Sequence, residues 1–231
     1  MDTVRTTGEY KNYFLDSCNE YAIKKNKHVV TGHIHYDRRE ENFDNCASAG
    51  YQNAYYVYED SNIGDIAVIS DLHFGIKENE KNIKNILTRL LNDKVNMVIF
   101  LGDTFDMALT DNTLILHNAL YGYLDEVFKK IPTVLIVGNH DINLKDSKIN
   151  EFLYSVTGET NLRKYLLENY NLDIVEEFET KDLVFIHGHQ FDVNVYKFKW
   201  LYLMAFRITD FINPAIKTID KLLKKFKLGN R

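Results

Sequence analysis

Five short polar clusters in the sequence contain side chains that could bind metal ions. They are Asp71-Leu72-His73, Gly102-Asp103, Gly138-Asn139-His140-Asp141, His187-Gly188-His189 and Gly32-His33-Ile34-His35. Together they offer carboxylates, imidazoles and one amide oxygen. Hard divalent ions prefer oxygen ligands, whereas borderline ions accept imidazole, so this mixture suits manganese, iron or zinc. The clusters therefore predict a metal site, in which one carboxylate could bridge two ions.

Each cluster on its own has an ordinary structural explanation. Asp-x-His and Gly-Asp are common in turns and helix caps, and Asn and Asp favour turns because their side chains bond to the local backbone. The two histidines His187 and His189 could simply cap a strand. However, all five clusters follow strand-like runs, where loops converge. We therefore interpret them as parts of a single site.

The surrounding sequence predicts alternating strands and helices. Short apolar runs that end in polar turns predict buried strands at 66–70, 97–101, 133–137 and 183–186, and further strands at 28–31 and 55–58. Apolar residues at helical spacing predict helices around 10–22, 83–91 and 116–127. Residues 59–65 are polar and predict an exposed connection. The alternation favours an α/β layered architecture, in which catalytic residues lie just beyond the strand ends.

The five clusters resemble the motif series of the calcineurin-like metallophosphoesterases. That series reads Asp-x-His, Gly-Asp, Gly-Asn-His followed by Asp or Glu, a further His, and Gly-His-x-His, and every motif is present here. The resemblance implies a layered β-sandwich flanked by helices, in the order α/β/β/α. It also implies a hydrolase with two divalent metal ions, of which manganese is our first expectation and zinc or iron the alternatives.

The resemblance also implies which residues bind the ions. The implied ligands of the first ion are Asp71, His73 and His35. The implied ligands of the second ion are Asn139, His187 and His33, and Asp103 would bridge the two.

Two further residues receive catalytic roles from the resemblance. His140 would lie beside the substrate phosphate, together with Asn139, and would stabilise the developing charge or protonate the leaving oxygen. Asp141 would orient His140. The nucleophile implied is a metal-bridging water that attacks phosphorus.

The order of the motifs departs from the family pattern. Gly-His-x-His normally closes the series, but here it comes first, at residues 32–35. We therefore predict one circularly permuted domain over residues 1–231, in which residues 1–60 supply the usual C-terminal part. In the alternative, residues 1–60 complete the site of a second subunit in a domain-swapped dimer. The sequence leaves both arrangements and the oligomeric state open.

The C-terminal segment is predicted to be a helical lid or cap over residues 193–231. The run from His187 to Asp192, followed by an aromatic helical segment, resembles UDP-2,3-diacylglucosamine hydrolases, which cleave a pyrophosphate in a lipid-bearing substrate. That enzyme typically has Arg where this chain has His140. We therefore expect a phosphorylated small-molecule or lipid-linked substrate, cleaved by a related lipid or nucleotide pyrophosphatase.

Residues 196–227 also predict peripheral contact with a membrane. The aromatic part is interrupted by Arg207 and Asp210 and is shorter than the ~20 apolar residues that span a bilayer. After Pro214, apolar residues and lysines form a basic amphipathic pattern that suits an anionic membrane surface. The same pattern also suits a helix that packs on the domain and exposes its lysines to solvent.

Composition limits the class of protein. With 45% hydrophobic residues the chain has enough apolar surface to fold, and its net charge of −5 argues against nucleic acid as the main partner. Neither Cys18 nor Cys46 has a zinc-ligand spacing, so both are expected to be reduced packing residues. With no apolar N-terminal stretch, the expected location is cytoplasmic. The alternatives are a phosphodiesterase or nuclease of the same fold, and a non-catalytic interaction module.

Overall fold

The computed structural model describes residues 17–18, 20–32, 46–48, 54–75, 80–107, 112–141, 144–145 and 160–191. Two β-sheets form its centre. One sheet has five strands in the order β3-β4-β5-β6-β7, and the other has four in the order β2-β1-β9-β8. His33, His35 and the predicted lid at 193–231 lie outside the described residues.

The five-stranded sheet is parallel except for one edge hairpin. Its strands are β3 (Ala54–Asp60), β4 (Gly64–Ser70), β5 (Met97–Leu101), β6 (Thr133–Ile136) and β7 (Leu172–Val175). β3 pairs antiparallel with β4, and the other neighbours pair in parallel. The carboxyl ends of β4, β5 and β6 therefore lie at one edge of the sheet.

The four-stranded sheet joins segments that are far apart in sequence. Its strands are β1 (His28–Thr31), β2 (Cys46–Ser48), β8 (Glu177–Glu179) and β9 (Leu183–Ile186). β1 pairs in parallel with both β2 and β9, with Val29 opposite Val184 and Thr31 opposite Ile186. β1 and β9 thus end at the same edge.

Helices cover both outer faces of the two sheets. Residues 20–25 belong to the first helix, α1. The others are α2 (Glu80–Asn92), α3 (Asn112–Leu116), α4 (Tyr121–Lys130) and α5 (Leu162–Asn169), and His189–Phe191 form a 3₁₀ turn. In α2, Ile83, Leu87 and Leu90 recur at helical spacing and are buried, which gives the helix one face to pack on the sheet.

Three apolar clusters fill the spaces between the layers. Alternation along β4 separates two of them, because successive strand residues point to opposite faces. Ala67 and Ile69 face the helices α2, α4 and α5, while Ile66 and Val68 meet Phe185 of the other sheet. The third cluster lies between α1 and the four-stranded sheet. The predicted α/β/β/α architecture is therefore confirmed for the described residues.

Two sequence predictions about local structure need correction. The helix expected over 116–127 is divided, because Asn118 accepts a hydrogen bond from Leu120 N at 2.8 Å and so closes a turn between α3 and α4. The connection expected over 59–65 is a tight hairpin, in which residues 61–63 alone form the turn. Asp60 closes it by accepting hydrogen bonds from Asn62 N at 2.9 Å and Ile63 N at 3.0 Å.

The prediction that Cys18 is a reduced packing residue is correct only in part. Its side chain is fully buried between α1 and the four-stranded sheet, as expected for a packing residue. However, it is disulfide-bonded, so the expectation of a reduced thiol is wrong at this position.

Candidate metal centre

The predicted site residues that the structure describes lie together at the carboxyl ends of four strands. Asp71 follows β4, Asp103 follows β5, Asn139 follows β6 and His187 follows β9. Backbone hydrogen bonds tie the first two loops together, from Asp71 N to Gly102 O at 3.2 Å and from His73 N to Asp103 O at 2.9 Å. The parallel strands thus bring residues from distant parts of the sequence into one cluster.

Asp103 lies at the centre of this cluster. Its side chain is buried, and its Oδ1 accepts a hydrogen bond from His140 N at 2.8 Å. Its Oδ2 lies 3.5 Å from Nε2 of His187. Asp71, Asp103 and His187 each offer a ligand atom, and these atoms lie within 4.8 Å of one another.

The orientation of His187 directs its second nitrogen into the cluster. Nδ1 is 2.9 Å from the carbonyl oxygen of Leu101, so Nδ1 is protonated and donates a hydrogen bond to that oxygen. Nε2 then faces Asn139 Oδ1 at 3.1 Å and Asp103 Oδ2 at 3.5 Å. Three groups that can each accept a hydrogen bond converge at this point, where a proton on Nε2 or a bound cation would satisfy them.

The electrostatics of His187 favour positive charge at this point. Complete burial lowers the pKa of His187, but the charge of Asp103 and the hydrogen bond to it raise the pKa to about 10. Such a large preference for positive charge means that the buried carboxylates attract a cation. A divalent metal ion would satisfy the same field without a proton on Nε2.

A second group of ligand-type side chains lies beside the first. Nε2 of His73 is 3.9 Å from Asp71 Oδ1, and its Nδ1 is 3.4 Å from Asp106 Oδ2. The other oxygen of Asp106 is 3.2 Å from Nδ1 of His140. Asp106 therefore contacts the ring nitrogens of two histidines that we expected to be functional.

The sequence interpretation missed Asp106. Its side chain is 1% exposed, and an aspartate so deeply buried needs partners of opposite charge or hydrogen-bond donors. A parallel bridge between Phe74 and Phe105 brings it beside His73. The signal in the sequence was an isolated acid three residues after Asp103, in an otherwise apolar run.

Asp141 contacts backbone groups of the centre. Its carboxylate accepts hydrogen bonds from the backbone N–H groups of Thr104, at 2.8 Å, and Gly138. It thereby connects two loops of the centre. The carboxylate at Nδ1 of His140 is that of Asp106, and an orienting role of Asp141 towards His140 stays a prediction.

Asp141 and His140 both have shifted pKa values. Burial, together with the charge of Asp103, raises the pKa of Asp141 to about 7. The hydrogen bond to Asp106 raises the pKa of His140, although burial opposes this shift. The side chain of His140 is 30% exposed, so it can reach a ligand in the opening of the site.

The backbone of the centre is strained. Asp71, His73 and Asp103 have positive φ values of 52°, 46° and 49°. A left-handed conformation at a residue with a Cβ costs on the order of 1–3 kcal/mol and is maintained only where the surrounding structure requires it. Among the described residues, Asn26 alone shares this property outside the centre. Such a concentration of strain is typical of functional sites.

Two glycines allow the loops to approach each other. A Cβ on Gly102, whose φ is +82°, would lie 2.2 Å from Nδ1 of His187. A Cβ on Gly138 would lie 2.1 Å from Oδ1 of Asp103. The glycines of these two motifs are therefore needed for close packing against the charged side chains.

The expected ligands His33 and His35 lie outside the described residues, but the residue before them contacts the centre. Gly32 N donates a hydrogen bond to His187 O at 3.1 Å. A Cβ on Gly32 would lie 2.8 Å from Leu101 O. The chain thus reaches the cluster at the point where the Gly-His-x-His motif begins.

The donor set fits divalent metal ions. Carboxylates, imidazoles and an amide oxygen converge, and His187 is fixed by a backbone carbonyl as metal-bound histidines commonly are. Iron, zinc and manganese all accept such mixed ligands.

Among the described residues, no helix is both long enough and apolar enough to cross a membrane.

Comparison with protein families agrees with this chemistry. The family described as calcineurin-like phosphoesterase matches residues 64–229, which is most of the chain. Searches of curated proteins and of solved structures gave no significant match. The family match and the clustered ligand-type residues lead to the same conclusion, that the chain belongs to the calcineurin-like phosphoesterase family and is a metal-dependent phosphoesterase.

Proposed function

We propose that the chain hydrolyses a phosphoester or pyrophosphate bond at a centre of two divalent metal ions, with manganese as the expected metal. The observation that carries the proposal is the convergence of His187 Nε2, Asn139 Oδ1 and Asp103 Oδ2 in a buried cluster. Bound ions would stabilise negative charge on the phosphate oxygens and lower the pKa of the attacking water.

The proposed ligand set combines described and undescribed residues. Asp71 and His73 would bind one ion, and Asn139 and His187 the other, with Asp103 between them. His35 and His33 would complete the first and the second ion site, respectively. The position of Gly32 against His187 supports this assignment, because it brings the motif to the correct strand end.

His140 is the residue that we assign to the substrate, together with Asn139. Its Nδ1 faces Asp106, which fixes the orientation of the ring, and Nε2 is the nitrogen that would face the phosphate. The raised pKa favours the charged imidazolium, which can stabilise an oxyanion or donate a proton to the leaving oxygen. Asp141 would act indirectly, since it fixes the loops that carry His140 and Asp103.

We propose that the order of motifs reflects a circular permutation. The family match begins at residue 64, where β4 starts, and the sequence after His189 contains no further histidine. Gly-His-x-His instead follows β1, which pairs in parallel with β9. The proposed unit is a single domain over residues 1–231, with residues 193–231 as a lid or cap.

Activity assays would test the proposed reaction. We would measure hydrolysis of bis(p-nitrophenyl) phosphate and of UDP-sugar diphosphates with added Mn²⁺. We expect Asp103→Ala and the double variant His33→Ala/His35→Ala to be inactive, whereas Asp173→Ala, at an exposed position in β7, should remain active. If the folded, metal-loaded protein cleaved nothing in a broad phosphoester panel, a non-catalytic interaction module would replace this proposal.

The substrate class within this chemistry is a further part of the proposal. We favour a lipid-linked or nucleotide diphosphate, on the resemblance of residues 187–192 to diacylglucosamine hydrolases. Faster cleavage of the phosphodiester than of any diphosphate would instead favour the second candidate, a phosphodiesterase or nuclease. The net charge of −5 makes a nucleic acid the less favoured substrate.

A mixing experiment would separate a self-contained site from a domain-swapped one. Asp103→Ala and His33→Ala/His35→Ala damage different parts of the proposed site. If residues 1–60 complete the site of a partner subunit, a refolded mixture of the two inactive variants should regain activity. We expect no recovery, because we propose that each chain completes its own site.

Residues 196–227 are proposed to contact an anionic membrane surface while the protein remains cytoplasmic. The support is the alternation of apolar residues and lysines after Pro214. Sedimentation with vesicles containing an anionic lipid would test it, with neutral vesicles as the control. Equal recovery in the supernatant with both vesicle types would refute membrane contact.

A further inference from the structure

The hydroxyl of Ser70 contacts the carboxylate that begins the candidate centre. Ser70 is the last residue of β4 and is completely buried. Its Oγ donates a hydrogen bond to Asp71 Oδ2 and lies 3.4 Å from the carbonyl oxygen of Leu101. A hydroxyl has a single proton, and a charged carboxylate is the stronger acceptor. Ser70 therefore acts mainly on Asp71.

This contact distinguishes the two oxygens of Asp71. Oδ2 is engaged by Ser70, whereas Oδ1 is the oxygen that lies 3.9 Å from Nε2 of His73. The hydroxyl thus keeps one oxygen away from the histidine and directs the other towards it. A carboxylate fixed in this way is ready to bind an ion through one oxygen.

The surroundings of Ser70 hold the hydroxyl in place. A Cβ on Gly32 would lie 1.9 Å from Ser70 Oγ, so the Gly32 backbone packs directly against the hydroxyl. The carbonyl oxygen of Leu101 also lies near the hydroxyl, and it accepts a hydrogen bond from His187 Nδ1 at 2.9 Å. Ser70 is therefore packed between the backbone before His33 and the carbonyl that orients His187.

We infer that Ser70 is a positioning residue that orients the Asp71 carboxylate for metal binding. The inference rests on the proposed function, because it requires that Asp71 binds an ion. Without the hydroxyl, the Asp71 carboxylate loses the hydrogen bond that fixes Oδ2, so it is less ordered before the ion binds. Loss of such a supporting hydrogen bond typically weakens metal affinity by about 10–100-fold.

The test is isothermal titration calorimetry, in which Mn²⁺ is added to the metal-free chain of 231 residues. The variant is Ser70→Ala, and the matched control is Thr133→Val. Thr133 is also buried and donates a hydrogen bond, to Ile131 O at 2.8 Å, but it begins β6 at the edge away from the centre. Both variants lose one buried hydroxyl, so they share its cost in stability.

We expect Ser70→Ala to raise the dissociation constant of one of two Mn²⁺ ions by about 10–100-fold. The other ion should bind as in the wild type, and Thr133→Val should change neither constant. In activity assays the Mn²⁺ concentration for half-maximal rate should rise by the same factor. The value of kcat at saturating Mn²⁺ should change less, because excess metal restores the occupied site.

Equal Mn²⁺ affinities in Ser70→Ala and wild type would overturn the inference and leave Ser70 a packing residue. Ser70→Gly removes the same hydroxyl and provides a second variant, so a folding defect in one does not decide the result. Circular dichroism would establish that each variant is folded before titration. Failure of the wild type to bind Mn²⁺, Zn²⁺ or Fe²⁺ would refute the proposed function itself, and the inference with it.

Discussion

Replacement of Asp106 by asparagine should affect both of the histidines that it contacts, His73 and His140. The variant Asp106→Asn keeps the shape of the side chain but removes its charge. Asp106 Oδ1 lies 3.2 Å from His140 Nδ1, and Oδ2 lies 3.4 Å from His73 Nδ1. One substitution therefore perturbs both the proposed proton donor and a proposed metal ligand.

The size of the effect follows from these contacts. A hydrogen bond to a charged group contributes about 1.5–3 kcal/mol, and each 1.4 kcal/mol corresponds to about tenfold. If the His140 contact stabilises the transition state, kcat at saturating Mn²⁺ should fall by about 10–100-fold. Loss of the His73 contact should raise the half-saturating Mn²⁺ concentration by about 10–100-fold as well.

The pH profile gives an independent measure of His140. The hydrogen bond to Asp106 is the main cause of its raised pKa, and burial acts in the opposite direction. If the charged imidazolium is needed, activity is present below this pKa and is lost as the pH rises through it. Asp106→Asn lowers the pKa, so the alkaline limb of the profile should move to lower pH.

The assay is hydrolysis of the best substrate from the panel across pH, at several Mn²⁺ concentrations. Asp173→Asn, which changes an exposed aspartate in β7, is the matched control. An unchanged alkaline limb, or a kcat close to that of the wild type, would refute the assigned role of His140. An unchanged Mn²⁺ requirement would refute the role of Asp106 in orienting His73.

Three other predictions concern packing, ion pairs and metal removal. Gly102→Ala would place a Cβ 2.2 Å from His187 Nδ1, so we expect lower stability in urea unfolding and loss of Mn²⁺ binding. Gly122→Ala, in α4 with nothing within 4 Å, should instead stabilise by about 0.5–1 kcal/mol. The hydrogen bond from Lys25 helps to lower the pKa of Glu179 to about 2 in the folded protein. This ion pair therefore stabilises the folded state above the unfolded pKa of about 4.3, and the stabilisation is lost as the pH falls towards 2. Glu179→Gln should remove this acid dependence, with an effect of no more than about 1 kcal/mol because the pair is partly exposed, as pH-dependent unfolding would measure. Mn²⁺ at 100 times its dissociation constant should stabilise the protein by about 2.7 kcal/mol in thermal unfolding, and EDTA or His187→Ala should abolish the gain.

Much of the layered fold could be predicted from the sequence, because its strands are short apolar runs. In β4 and β5 nearly every residue is buried on one face or the other, so each run is continuous and easy to recognise. β7 and β8 were not predicted. They lie at sheet edges and contain exposed or half-buried residues, including Asp173 and Glu179, so their apolar pattern is weak.

The candidate site could be predicted in part because its residues follow strand ends. The structure brings Asp71, Asp103, Asn139 and His187 together, as their motifs indicated. The position of Asp106 depends on contacts with His73 and His140, which are distant in sequence, and no local pattern encodes such contacts. The contact of Asp141 with Thr104 N, 37 residues away, was missed for the same reason.

The parallel pairing of β1 with β9 affects how the protein folds. Lys25, just before β1, pairs with Glu177, the first residue of β8, across 152 residues of sequence. During synthesis β1 emerges early, but its neighbour β9 is made only after the five-stranded sheet. Until then β1 has an unpaired edge, and such edges favour aggregation. Since contacts between distant residues slow folding, closure of the four-stranded sheet should be a late step, and the metal centre should form with it.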